Sequence, residues 1–300
     1  MAALLTSVLD NSDKVSGYIG ECRECGIALL PPDINRSADR FTVEEGGIRF
    51  GLVAIKNIGR GFIQAVMRER ETGGDFTSLY DFCSRMNGSE MNKRAVENLI
   101  RSGAFDSMGA RRSQLIKVYE TVMDSVAAQQ RDNVEGQMDF FSMAAGFADK
   151  PEPVKEIPLP DIPEYTPEEL MTMEKATTGL YLSGHPMDHY RDAVRKLHAP
   201  TIVSIIEDFS RENGPERFAD GQRVTIAGVI TSSKTKTTKN NSLMAYVMVE
   251  DDTASLELLC FSRVLETCGA YMKENQAVVV KGRLSVRDEK APQILSLIHI

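Results

Sequence analysis

The 300-residue sequence has no tryptophan, four histidines and five cysteines. No apolar run approaches the ~20 residues that a membrane-spanning helix needs. The opening MAALLTSVLDNSDK has neither a basic first region nor a long apolar one, so it does not read as a secretory signal. An odd number of cysteines in a chain this long fits a reducing cytoplasm better than a disulfide framework. Cys22 and Cys25 form a Cys-x-x-Cys, but Cys83, Cys260 and Cys268 are scattered and supply no second pair at zinc-ligand spacing. Buried helix cysteines are the plainer reading. His185 has no nucleophile or metal-ligand set legible around it and reads as structural. A strongly basic balance is missing as well. The formal net charge is −8, whereas a dedicated DNA-binding domain is usually far more basic.

What is present points elsewhere. An apolar content of 42% supports packed cores, and the length suits about two domains, or three small ones. The acidity is local. Residues 131–170 carry a net −7, while residues 50–130 and 221–294 are each net +2. A Pro-rich acidic tract therefore lies between two mildly basic regions.

The stretch Leu52–Arg70 reads as a turn between helices. Ile55 and Ile58 flank Lys56-Asn57, Gly59 and Gly61 follow, and a helix runs on through Phe62, Ile63, Val66 and Met67. Gly and Asn tolerate positive φ, so the backbone can turn sharply. A helix opening from such a turn presents unpaired N–H groups and its positive dipole end, a ready phosphate site. Lys56 and Arg60 add charge. The reading is a helix-hairpin-helix gripping a nucleic-acid backbone, with an ordinary helix–helix turn as the alternative. A second unit follows. Ser89 is placed as the N-cap of a helix through Val96, Leu99 and Ile100. That helix ends at Ser102-Gly103, and the next one carries a 3.6-residue stripe from Leu115 to Val126. Lys93, Arg94, Arg101, Arg111 and Arg112 fall near its helix ends. Duplex contacts are assigned to Lys56, Asn57, Gly59, Arg60, Gly61, Lys93, Arg94, Gly103, Arg111 and Arg112.

Around these units, residues 2–30 read as helical, and Phe41–Val43 with Ile48–Phe50 as a β-hairpin. Prolines at 151, 153, 158, 160 and 163 forbid regular structure in the acidic tract, where Phe140 and Phe141 stand exposed to a partner or fold back onto the core. Thr166-Pro-Glu-Glu169 is a capping box that starts a helix, and Asp188–Leu197 is a further short helix. From Gln222 the period becomes that of strands: 224–230, 243–249, 254–261 and 277–284, with a helix over 262–272. That order is the order of an OB-fold barrel. Its first loop, 231–242, carries Lys234, Lys236 and Lys239. With Tyr246 and Phe261 these suit single-stranded nucleic acid; a solvated hairpin tip is the alternative.

The motifs Tyr18-Ile-Gly-Glu-Cys-Arg23, Leu30-Pro-Pro-Asp-Ile-Asn35, Gly51–Gly59, Asn92–Gly109 and Gly179–Met187 resemble the C-terminal half of the bacterial DNA polymerase III alpha subunit, a C-family replicative polymerase. The likeness runs over about residues 2–294. It implies a multidomain α+β chain, with a mainly helical tandem helix-hairpin-helix region followed by a truncated OB-fold β-barrel. The implied division is the end of a fingers domain (1–50), the DNA-binding hairpins (51–130), an acidic Pro-rich linker (131–165), a helical connector (166–220) and the OB-fold (221–294). Within the linker, Gln137, Met138, Asp139, Phe140 and Phe141 are similar to the family's internal sliding-clamp motif; Phe140 stands where Leu or Met is more usual. The implied partners are duplex and single-stranded DNA, the clamp and other replisome subunits. In the family the catalytic palm precedes this region, and its carboxylates would hold two Mg2+ that activate the primer 3′-hydroxyl. No catalytic residue is assigned here, and no cofactor or metal.

Met1 leads straight into mid-domain helix sequence and reads as an internal methionine of a longer protein. Leu295–Ile300 resembles the translation of a sequencing adapter and is set aside from the fold. A ligase or repair-nuclease fragment would also combine these modules, but NAD-dependent ligases put the OB-fold first and a four-cysteine zinc site between, and neither feature is here. A protein-only interaction scaffold is the remaining alternative; a steep salt dependence of duplex binding separates it from a backbone-gripping protein.

Overall fold

A computed structural model describes residues 1–7, 18–19, 21–22, 25–88, 91–136, 157–211, 214–238, 240–286 and 291–296. Ser89, Lys239 and the clamp-like residues Gln137, Met138, Asp139, Phe140 and Phe141 lie outside them. The chain divides into two units, one built from residues 1–7 and 26–183, the other from 8–25 and 184–300. Each has its own core.

The first unit begins with α1 (Ala2–Ser7). Three short strands follow: β1 (Ala28–Leu30), β2 (Thr42–Glu44) and β3 (Gly47–Arg49). β2 and β3 form the expected hairpin. Ala28–Leu30, read from sequence as helix, is instead a strand parallel to β3. Pro31-Pro32 bars a helix from continuing there, and the free edge of β3 pairs Leu29 with Ile48.

Helices α2 (Arg60–Gly73), α3 (Leu79–Met86), α4 (Lys93–Arg101), α5 (Arg112–Gly136) and α6 (Pro167–Thr178) complete the unit. Their starts follow local chemistry. Ser78 accepts from the Asp81 N–H, and Thr166 and Glu169 form the expected capping box. The cap of α4 is Asn92, whose Oδ1 accepts from the Ala95 N–H at 2.9 Å, and not Ser89. Both residue types cap well, and the one at the correct distance from the N–H decides.

Phe82 centres the core, edge-on to Phe62, Phe76 and Phe105 at centroid distances of 6.2, 5.0 and 5.1 Å. Asn35 fixes the Phe76 backbone from both sides, donating to its carbonyl and accepting from its N–H. Residues 157–166 have no regular structure, as their prolines require, yet they do not hang free. Four of them bond Arg111 or the first turn of α5, as described below.

In the second unit a 3-10 turn over Pro186–Tyr190 leads into α7 (Arg191–Leu197), and α8 (Ile202–Phe209) follows. The strands are β4 (Arg223–Thr237), β5 (Leu243–Glu250), β6 (Ser255–Phe261), β7 (Ala277–Ser285) and β8 (Gln293–Ser296), with α9 (Ser262–Cys268) after β6. β4 pairs with both β5 and β7, and the order β4-β5-β6-β8-β7 closes into a barrel. β8 closes it by pairing parallel to β6 and antiparallel to β7. Leu295 and Ser296, set aside in the sequence reading, pair within this strand, Leu295 with Arg283 and Leu259. Inward residues such as Ile226, Val247, Val249, Leu258, Val280 and Ile294 alternate with outward ones, and Ile202 and Ile205 of α8 join their core. The sheet bends at an irregularity between Ile230 and Ser232. At Gly228 a Cβ would lie 2.6 Å from the Glu250 carbonyl, so only glycine lets the strands meet there.

Candidate nucleic-acid interface

The two hairpins differ in what lies at the mouth of the second helix. In the first, a single 3-10 turn (Leu52–Ala54), not a full helix, enters the bend. Asn57 supplies the positive φ, at 62°, which an asparagine tolerates. Gly59 is extended and caps α2, and Arg60 and Gly61 already belong to its first turn. No side chain caps this N-terminus and no acid lies in its first turn. Lys56, Asn57, Gly59, Arg60 and Gly61 are all exposed. The sequence-predicted residues are thus brought together around an open helix N-terminus, where backbone N–H groups and dipole favour an anion.

Lys56 is also tied to a neighbouring helix. Its N–H donates to the Thr177 carbonyl at 2.8 Å and its Nζ to the Ala176 carbonyl at 3.0 Å, so it satisfies the last carbonyls of α6. Asn98, buried in α4, donates to the Lys56 carbonyl at 2.7 Å. The bend is therefore held from two helices, a support that the local sequence of the hairpin does not reveal.

The second hairpin is built otherwise. Gly103 has φ 85° and ends α4, with the Ala104 N–H donating to the Leu99 carbonyl. Of its assigned residues, Lys93 and Arg94 are exposed, Lys93 pairing with Asp124 at 3.0 Å. Arg112 and Gly103 are corrections. Arg112 is buried; its guanidinium bonds Asp106 at 2.7 Å and Glu174 of α6 at 3.1 Å. Gly103 makes room for that guanidinium, since a Cβ there would sit 2.8 Å from the Asp106 carboxylate and against Arg112 itself. Neither is presented to a ligand. Arg111 is exposed but donates to the Ile162 carbonyl at 2.7 Å. The N-terminus of α5 is also occupied: the Glu164 carboxylate accepts from the N–H groups of Arg112 at 2.7 Å and Ser113 at 2.9 Å. Burial alone would raise the Glu164 pKa, but the N–H donors of Ser113, Tyr165 and Arg112 outweigh it and hold the carboxyl below its ordinary value.

Glu174 and Glu164 escaped the sequence reading. Glu174 is wholly buried, takes Arg112 on one oxygen and the N–H groups of Leu182 and Ser183 on the other, at 3.0 and 2.9 Å. The available signal was an acid one helical turn from Met171 and from Thr177, on the apolar face of α6. Glu164 had no signal, because its partners are backbone groups fifty positions away.

On the barrel, Lys234 and Lys236 belong to β4, not to a loop: residues 231–237 continue the strand and pair with β5. Long β-branched Thr and polar Ser residues extend the ladder to the tip at 238–242. Lys234 faces Tyr246, Lys236 faces Met244, and Met244 faces Phe261. The ammonium of Lys236 lies 5.3 Å from the Tyr246 ring centroid. Lys234, Lys236, Tyr246 and Phe261 thus share one outer face, where Phe261 is 45% exposed. The same row continues through Leu259 and Leu295 to Arg283. Another part of the outer wall, at Ala227 and Val229, is covered by Met187 and Val194. His185 is buried and accepts the Met187 N–H on Nδ1, a local structural role.

Comparison with known proteins agrees with both modules. Residues 26–115 match the helix-hairpin-helix motif family, and residues 224–297 match the OB-fold nucleic acid binding domain family. The chain is 36% identical over 291 residues to the DNA polymerase III subunit alpha of Saccharopolyspora erythraea, covering 96% of this chain and 24% of that protein. It is 32% identical over 289 residues to that of Vibrio cholerae, covering 96% and 24%. It is 36% identical over 291 residues to that of Deinococcus radiodurans, covering 96% and 21%. The chain spans about a quarter of the length of these relatives. Among solved structures, the SSB domain of a Synechococcus protein aligns with 27% of this chain and 97% of its own, at 16% identity and a TM-score of 0.25. That score is too low to argue from, and the barrel stands on its own strand pairings.

Proposed function

We propose, from the premise that this chain is a homologue of a segment of the DNA polymerase III alpha subunit, that it is the DNA-handling part of a replicative polymerase. The first hairpin grips a duplex backbone, the outer face of the barrel takes a single strand, and residues 137–141 bind a sliding clamp. The chain positions DNA for a polymerase palm elsewhere, whose carboxylates would hold two Mg2+ ions for the chemistry. The observation that carries the duplex reading is the open N-terminus of α2, with Arg60 and no acid in its first turn.

Arg60→Glu tests it. Duplex affinity falls regardless of base sequence, and the slope of log K against log salt becomes shallower by roughly one phosphate contact, about 0.9. Fluorescence anisotropy with duplexes of two unrelated sequences measures both. Unchanged affinity and slope would rule out this hairpin as the grip. Lys56→Glu is the less clean variant, because Lys56 also holds the end of α6.

A further inference from the structure

The second hairpin has the shape of a phosphate site but holds a carboxylate. Residues 160–164 lie across the first turn of α5 as a strap. Gln114 donates to the Pro160 carbonyl at 2.8 Å, Arg111 to Ile162 at 2.7 Å, and the Ser113 hydroxyl to Pro163 at 2.8 Å. Glu164 then presents its two oxygens to the N–H groups of Arg112 and Ser113. Two neighbouring backbone donors at a helix N-terminus, each bonded to one oxygen of the same anion, is how such a site holds a phosphate. The cations follow the same pattern. Arg111 lies 3.6 Å from Asp161, and Arg112 is turned inward to Asp106 and Glu174. The N–H groups of Arg112 and Ser113 and the side chains of Arg111, Arg112, Ser113 and Gln114 are engaged by the chain itself at the mouth of α5, whereas no side chain caps the mouth of α2.

We propose that the strap is an autoinhibitory contact: Glu164 stands in for a nucleic-acid phosphate at α5, closes the second hairpin, and leaves the duplex held by the first hairpin alone. Displacing Glu164 opens a second backbone contact. The proposal rests on the backbone-gripping reading above and adds a regulation to it. It also suits the composition of residues 131–170, which carry a net −7.

The test uses the whole 300-residue chain and duplex DNA, with anisotropy over a salt series for the parent, Glu164→Ala, Glu164→Gln and Arg60→Glu. Ala removes the carboxylate. Gln keeps the shape and one acceptor oxygen while removing the charge, so it preserves the fold should Ala not. Thermal melts accompany each variant. The expected result is a roughly threefold to tenfold gain in duplex affinity for Glu164→Ala, a smaller gain for Gln, and a salt slope steeper by about 0.9 for one added phosphate. Folded Ala and Gln variants with parental affinity and slope overturn the proposal and leave Glu164 a structural cap. If Arg60→Glu weakens binding in that case, the grip reading survives and only the strap proposal falls. If Arg60→Glu changes nothing either, both fall together.

Discussion

Arg112 carries its charge inside the protein, between Asp106 and a Glu174 that is wholly shielded from water. Removing Glu174 leaves Arg112 with Asp106 alone and takes the acceptor from the Leu182 and Ser183 N–H groups; loss of one partner of a buried pair costs about 3–5 kcal/mol. Glu174→Ala is therefore expected to lower unfolding stability by about that amount in a urea titration, and more than loss of any surface pair such as Lys93 with Asp124. Glu164 has a different signature. Its folded-state pKa lies below the unfolded one. Its contribution to stability is thus complete above the ordinary carboxylate range and is lost as pH falls through the lowered value. Unfolding stability measured between pH 7 and pH 3 should drop less steeply in Glu164→Gln than in the parent chain. An equal drop in the two would show that Glu164 is not held as described. At this scale residue type misled: two arginines adjacent in sequence read as duplex contacts, while one is buried and the other tied to a carbonyl.

Among the elements, β4 and β5 show how a pattern of basic residues becomes a surface. Because the strand period is two, Lys234 and Lys236 point the same way, and the register sets them beside Tyr246 and Met244. On the proposed reading, a base stacked on Tyr246 or Phe261 would be worth about 1–3 kcal/mol, and the lysines would supply charge for its phosphate. Lys234→Glu with Lys236→Glu should lower affinity for a single strand several-fold and leave duplex affinity near the parent value, read by anisotropy with both ligands. A matched loss on duplex would place the duplex on the barrel instead. The strand periodicity made most of this legible. The extent of β4 was not, because Thr, Ser and Lys alternate in ladders and in solvated tips alike, and only the β5 partner distinguishes them. Likewise Ala28–Leu30 needed β3 beside it to be a strand.

For the whole molecule, the helix-hairpin-helix region and the OB-fold lie in separate units of the chain, and the clamp-like residues lie between them in sequence. Phe140→Ala with Phe141→Ala should abolish pull-down of a sliding clamp while duplex and single-strand affinities stay unchanged; persistent capture of the clamp would reject that assignment. Sequence by itself determined the modules and their order, because helix and strand periods, caps and turn residues are local and survive without knowledge of partners. It also located the α2 hairpin, whose Asn57, Gly59 and Arg60 are all neighbours in the chain. Tertiary structure decided which hairpin is open. That depends on Glu164 meeting the N–H groups of Arg112 and Ser113, on Glu174 meeting the Arg112 side chain, and on Asn98 bracing Lys56. Each of those contacts joins residues some forty to sixty positions apart. No local pattern encodes a contact at that separation, and only the packed fold brings its two ends within reach of a hydrogen bond.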